Sequence, residues 1–142
     1  MKNILLITFI LISNFASGQQ YYRPEYSTDS TYGYSPLNPL TFASDNPIIN
    51  VSNTYDFFTN LRTPNNKKLI LLSNRTSIRD PRYTEEQHKK RAEENSKKGK
   101  WSGGMLDCYT LVTKNGKVYV KLYVDIYTKG TPKVPHGLKW KD

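Results

Sequence analysis

Histidine and cysteine are the side chains best suited to proton transfer and nucleophilic attack near neutral pH. This sequence holds two histidines and one cysteine, and two of these three bound the segment HKKRAEENSKKGKWSGGMLDC, from His88 to Cys108. The segment also carries a block of lysine and arginine, a tryptophan and a Gly-Gly step. Together with His136 and Lys139 it would suit a small basic nuclease, provided that the two imidazole rings converge. No local feature of the sequence brings the rings together.

The other residue types that could do chemistry do not form recognisable sites. Two histidines, one cysteine and scattered aspartates lack the spacing of metal ligands. The chain has no phosphate-binding glycine loop, dinucleotide fingerprint or nucleophile elbow. Nothing near Cys108 in the sequence would lower its pKa, so we expect it to pack as a small apolar side chain. We therefore predict no metal and no cofactor, and we favour a non-catalytic protein.

A charged helix is predicted for residues 84–98. Thr84 with Gln87 three residues later matches a capping box, which satisfies backbone donors at the helix start. Four Glu–Lys pairs follow at i,i+4 in the favourable order, each contributing roughly 0.2–0.5 kcal/mol. Because Ala92 is the single apolar residue between the cap and the end of the helix, we expect the helix to stand in solvent with His88 on its polar surface.

The strongest structural signal is a hairpin over residues 106–127. Asn115-Gly116 lies between two alternating segments and favours a two-residue turn with positive φ at both positions. Such a turn sets the register of all cross-strand pairs. The predicted core face holds the pairs Thr113–Val118, Leu111–Val120, Tyr109–Leu122 and Asp107–Val124. The opposite face is expected to carry both polar and apolar residues and to be partly exposed to solvent, with Cys108 beside Tyr123.

Residues 1–18 are predicted to be a signal peptide. Lys2 gives a short positive region, residues 4–12 are apolar except for Thr8, and Ala16-Ser17-Gly18 supplies small side chains for cleavage. The apolar stretch is shorter than the about 20 residues that a membrane span needs. We therefore expect a soluble mature chain that starts at Gln19, has no membrane span and is exported to the periplasm or the medium of a bacterium.

Residues 19–47 are predicted to form an extended N-terminal arm. Prolines are spaced through the segment, which lacks helical or strand periodicity. Tyrosine offers a large amphipathic contact area at low entropic cost and is enriched at interfaces. We expect the arm to lie along the body or to bind a partner, and we expect the domain to stay folded without it. The candidate partner-binding residues are Tyr21, Tyr22, Tyr26, Tyr32 and Tyr34.

The domain itself is predicted to cover residues 48–142, and its first part carries weaker signals. Apolar residues within 48–51 indicate a short strand, and those within 55–61 recur at the spacing of one helix face. The apolar run 69–72 is typical of a strand buried on both faces. Residues 73–83, with three arginines around Pro81, are predicted to form a basic loop.

Charge is distributed unevenly along the chain, whose formal net charge is +9. Residues 19–61 hold one basic and four acidic residues, whereas residues 62–101 hold twelve basic and five acidic ones. Such an excess favours binding to an anionic polymer or surface. The predicted anionic-patch residues are Arg62, Lys67, Lys68, Arg75, Arg79 and Arg82.

These observations predict a small single α+β domain with an antiparallel sheet, an exposed charged helix and the arm. The function we favour is an exported, non-catalytic protein that binds a protein partner, such as an accessory subunit of a bacterial envelope or secreted assembly. The first alternative is a module that binds an anionic polymer or glycan through the basic patch. The second is a small secreted nuclease or toxin, although nucleic acid is not the favoured ligand.

Overall fold

The computed structural model describes residues 22–72, 75–99 and 104–142. These residues form one small domain with two helices and a mostly antiparallel sheet, which confirms the predicted α+β class. The predicted signal peptide and Tyr21 lie outside the described residues. The elements, in chain order, are β1 (Leu40–Phe42), α1 (Pro47–Asn60), β2 (Leu61–Arg62), β3 (Leu69–Leu71), β4 (Thr76–Arg79), α2 (Glu85–Lys97), β5 (Met105–Thr113), β6 (Tyr119–Lys129) and β7 (Lys139–Trp140).

Strands β5 and β6 form the predicted hairpin in the predicted register. Tyr109 pairs with Leu122, and Leu111 pairs with Val120. All four residues belong to the hydrophobic core, so the predicted core face is confirmed. Around this hairpin the main sheet has the strand order β1-β6-β5-β3, and β4 also pairs with β5.

The turn of the hairpin differs from the predicted type. Gly116 has a φ of 66°, but Asn115 does not have positive φ. The Asn115 side chain accepts hydrogen bonds from the Thr113 hydroxyl at 2.6 Å and from the Lys117 backbone N–H at 3.3 Å. These local bonds hold a wider turn, with the Thr113 N–H donating to the Val118 carbonyl. The register is unchanged because the strands beyond the turn keep their pairing.

Helix α1 begins where the sequence favoured a strand, so that prediction is wrong. Asn46 is the N-cap and accepts a hydrogen bond from the Ile48 N–H, while Pro47 occupies the first helical turn. This cap chemistry outweighs the strand preference of the β-branched residues Ile48 and Ile49, which stay exposed. The opposite side of the helix buries Phe57 against the sheet.

Strands β3 and β4 correct two further predictions. β3 buries Leu69 but leaves Ile70 exposed, so this strand is covered on one face and not on both. The segment expected to be a basic loop contains β4, which pairs antiparallel with β5 from Thr76 opposite Cys108 to Arg79 opposite Met105. β4 was missed because its residues are mostly exposed and lack an apolar alternation.

Helix α2 confirms the predicted charged helix. Thr84 is its N-cap, and the capping box with Gln87 is present. The expectation that the whole helix surface is solvated is wrong at one position, because His88 is buried. The His88 Nε2 atom lies 3.0 Å from the Asp80 carbonyl oxygen. One turn of the helix therefore packs on the loop that precedes it.

The arm lies along the body and contributes to its core. Strand β1 pairs in parallel with β6, placing Leu40 opposite Val124. Leu40 and Phe42 are both members of the hydrophobic core. The rest of residues 22–47 is largely irregular. Because Leu40 and Phe42 belong to the core, the arm is an integral part of the folded domain, and we now expect the domain not to stay folded without it.

Candidate functional site

The predicted partner-binding tyrosines fasten the arm to the C-terminal tail. Each of the four that the structure describes forms a hydrogen bond to a backbone group of residues 132–140. Two hydroxyls donate: Tyr22 to the Pro132 carbonyl and Tyr34 to the His136 carbonyl. Two hydroxyls accept: Tyr32 from the Lys133 N–H and Tyr26 from the Trp140 N–H. Burial raises the pKa of the Tyr32 and Tyr34 hydroxyls. These hydroxyl groups therefore hold the protein's own tail.

Backbone contacts strengthen this attachment. Tyr26 and Val134 form a parallel bridge. The Ser27 N–H donates to the Val134 carbonyl at 2.9 Å, and the Val134 N–H donates to the Glu25 carbonyl at 2.8 Å. An ion pair between Lys133 and Glu25 lies beside this bridge. The arm and the tail therefore form one continuous surface.

The predicted anionic patch is divided by the fold. Three of its arginines are neutralised in the ion pairs Arg75–Asp107, Arg79–Glu85, Arg82–Asp80 and Arg82–Asp125. Arg62, Lys67 and Lys68 have no carboxylate partner within the described residues. These three side chains are the part of the patch that is available to bind an anion.

The histidines and the cysteine are not brought together. His88 is buried beside Asp80 and Gly104, and a Cβ at position 104 would lie 2.7 Å from the His88 Nδ1. His136 is exposed on the tail. Cys108 is buried in β5, and burial raises the pKa of its thiol. Cys108 is thus a packed, protonated side chain, as its sequence context predicted.

An open groove with a volume of about 520 Å³ lies between the arm, α1 and the tail. This volume lies within the range of about 300–1,000 Å³ typical of ligand sites. We call it the arm–tail groove. Its lining residues are Tyr22, Phe42, Ala43, Asn53, Asp56, Phe57, Asn60, Thr131, Pro132 and Trp140.

Aromatic rings form the apolar part of the arm–tail groove. The Phe57 and Phe42 ring centroids lie 5.7 Å apart in an edge-to-face contact. The Trp140 ring centroid lies 5.0 Å from that of Phe57, with the two ring planes at 49°. Trp140 is held there because β7 pairs with β2, with Trp140 opposite Leu61. The rings are fixed by the core, so the apolar surface is formed before any ligand arrives.

Polar groups on one face of α1 form the rim. No described residue forms a hydrogen bond or ion pair with the Asp56 carboxylate or with the Asn53 carboxamide. Asn60 uses its NH₂ group to donate to the Asp56 backbone carbonyl at 2.9 Å, and its side-chain oxygen accepts no hydrogen bond from a described residue. The rim therefore offers hydrogen-bond acceptors beside an aromatic floor.

The sequence interpretation missed this groove, although one signal was present. Asn53, Asp56, Phe57 and Asn60 follow the i, i+3, i+4, i+7 spacing that places residues on one face of a helix. The other walls come from distant parts of the chain, and only the fold brings Phe42 and Trp140 to this helix.

No family model matches the chain, and no curated protein and no solved structure matches it. Within the described residues, no helix is long and apolar enough to cross a membrane. In the same part of the chain, no group of three or more histidine, cysteine, aspartate or glutamate side chains is placed to hold a metal ion.

Proposed function

We propose that this protein is an exported, non-catalytic binding protein that holds a short peptide segment of a partner protein in the arm–tail groove. The observation that carries the proposal is the combination of a preformed aromatic floor with unpaired polar side chains on its rim. Buried aromatic anchors with nearby hydrogen-bonding groups are the features that dominate the energy of protein interfaces. Export is proposed from the N-terminal sequence alone.

The chemistry of the groove favours a peptide with one bulky apolar side chain. Trp140 is only partly buried and offers ring surface to that side chain, while Phe57, which is 4% exposed, contributes a small part of the floor. The Asp56 carboxylate and the Asn60 side-chain oxygen accept hydrogen bonds, and the Asn53 carboxamide can both donate and accept. A peptide backbone next to the anchored side chain supplies the matching N–H and C=O groups.

A binding role suits the groove better than catalysis. Among the described residues, its lining includes one carboxylate and no histidine, cysteine or lysine. General acid–base or nucleophilic catalysis needs a base, a nucleophile or an acid in contact with the reacting group. The lining therefore provides recognition groups without a second catalytic partner for Asp56.

Titration of the ¹⁵N-labelled mature protein with N-acetyl-tryptophan amide tests the site. This probe carries one aromatic side chain and the backbone groups of a peptide. We expect saturable changes in the NMR chemical shifts of the backbone amides of Asn53, Asp56 and Asn60 and of the Trp140 indole N–H. N-acetyl-glycine amide, which has the backbone groups without the side chain, should produce none of them.

A pair of charge-matched variants sharpens the test. Asp56→Asn removes the rim carboxylate and should weaken binding of the probe severalfold, while Glu86→Gln on α2 should leave it unchanged. Saturable binding mapped to another surface, or equal weakening by both variants, would show that the arm–tail groove is not the peptide site.

A further inference from the structure

Three cations are aligned across neighbouring strands beside the tail. Arg62 in β2 pairs with Lys139 in β7 on one side. On its other side Arg62 forms an antiparallel bridge with Lys68. Directly opposed residues project from the same face of a sheet, so the three side chains leave this small ribbon in the same direction. We call them the cationic row.

The local structure holds the cationic row in place. The Thr63 N–H donates to the Lys67 carbonyl at 2.9 Å, and Asn66 adopts a φ of 58°, which closes the tight turn between Arg62 and Lys68. The Arg62 guanidinium donates through Nη1 to the Thr59 and Leu61 carbonyls at 2.7 and 2.8 Å. Its other N–H groups remain available, because a guanidinium carries five donors.

No carboxylate compensates these charges within the described residues. Like charges directly opposite each other destabilise a strand pair. Lys141 adds a further positive charge to the same strand end, where its N–H donates to the Asn60 carbonyl at 2.8 Å. Neighbouring strands lie about 4.8 Å apart, so the row spans roughly 10 Å. Such a row is stabilised by an anion that bridges its members.

We propose that the cationic row binds a linear acidic polysaccharide through its carboxylate or sulfate groups. A flat row of cations at strand spacing matches a chain that carries repeated negative charges. Trp140 follows Lys139 in β7 and therefore points to the other face, toward the arm–tail groove. Single-stranded nucleic acid is held by aromatic stacking as well as charge, and although Tyr55 lies near Lys68, no aromatic residue accompanies Arg62 or Lys139 on the face of the row in β2 and β7.

This site differs from the predicted anionic patch in composition. It keeps Arg62 and Lys68 and adds Lys139, which lies beside Arg62 only because β7 pairs with β2. It also lies on the opposite face of the ribbon from Trp140, so it is independent of the peptide site.

Affinity measurements with heparin, polygalacturonate and neutral dextran test the proposal. We expect the two acidic polysaccharides to bind and dextran not to bind. With about three contacts, affinity should fall roughly 10- to 40-fold between about 50 and 200 mM salt. The slope of the logarithm of affinity against the logarithm of salt concentration should become shallower by about 1 in each of Lys68→Gln and Lys139→Gln. Lys90→Gln and Lys97→Gln on α2 should leave this slope unchanged.

Thermal unfolding provides a second readout. Lys139→Gln should not lower the melting temperature at low salt, because it removes a repulsion, yet it should weaken polysaccharide binding. Equal weakening by the α2 variants would show that binding follows net charge alone and would overturn the site. Tighter binding of duplex DNA than of either polysaccharide at the same salt would overturn the ligand class, and a lack of binding to both polysaccharides would overturn the proposal.

Discussion

Deletion of residues 19–47 should abolish the cooperative unfolding transition of the domain. The deleted segment contains β1, whose pairing with β6 completes one edge of the main sheet. It also contains Leu40 and Phe42, which are fully or almost fully buried in the core. Burying side chains of this size contributes about 1.5–3 kcal/mol each, and small domains have only about 5–15 kcal/mol of net stability. Circular dichroism during heating measures the outcome.

Two leucines in the arm provide matched point variants. Leu40 is 0% exposed and Leu37 is 65% exposed. Leu40→Ala should lower the free energy of unfolding by about 3 kcal/mol, the typical cost of a cavity at a buried leucine. Leu37→Ala should change it by less than about 0.5 kcal/mol. If the deletion left the melting temperature unchanged and the two alanine variants behaved alike, the arm would not belong to the core.

Replacing Arg82 with methionine should lower the free energy of unfolding by about 3 kcal/mol at neutral pH, because it leaves two buried carboxylates without their cation. Asp80 is 2% exposed and Asp125 is 3% exposed. The Arg82 guanidinium binds Asp80 through Nε and Nη2 and reaches Asp125 through Nη2. It thereby ties the loop before α2 to strand β6.

The cost of Arg82→Met should depend on pH. Burial alone would raise the pKa of Asp80, but hydrogen bonds and charge from Arg82 outweigh it and hold the pKa below its ordinary 3.8. A lowered pKa stabilises the folded state above pH 3.8, and this contribution disappears as pH falls through the folded-state pKa. Urea denaturation should therefore show the largest difference between the variant and the parent near neutral pH and a smaller one in acid.

A neighbouring arginine serves as the control. Arg79 pairs with Glu85, and both side chains are mostly exposed. Arg79→Met should cost less than about 1 kcal/mol, the upper limit for most surface ion pairs. A similar loss of stability in both variants, or a cost at Arg82 that is the same at all pH values, would contradict the assigned role of the buried pair.

Local sequence patterns predicted the elements whose determinants lie close together in the chain. The hairpin register followed from the alternation around Asn115-Gly116, and it survived a wrong turn type because the apolar residues set it independently. The capping box at Thr84 located α2 correctly. In contrast, the strand predicted within residues 48–51 is part of a helix, because Asn46 caps that helix and Pro47 occupies its first turn.

The candidate sites depend on contacts between distant residues, which single-sequence reasoning cannot supply. Arg62 and Lys139 become neighbours only through the pairing of β2 with β7. The arm–tail groove needs Phe42 from the arm, Phe57 from α1 and Trp140 from the tail. The tyrosines of the arm were predicted to bind a partner, and the hydrogen bonds that the structure describes for Tyr22, Tyr26, Tyr32 and Tyr34 are with the tail of the same chain.

The most direct test of the central claim is photocrosslinking from the rim of the arm–tail groove in the cells that produce this protein. A photoreactive residue at position 53 should give one discrete adduct, mapped by mass spectrometry to a single peptide of one partner protein. Excess N-acetyl-tryptophan amide should reduce its yield, and the same residue at position 90 on α2 should give no such adduct. Equal adducts from both positions, or an adduct at position 53 that the probe does not reduce, would contradict the account.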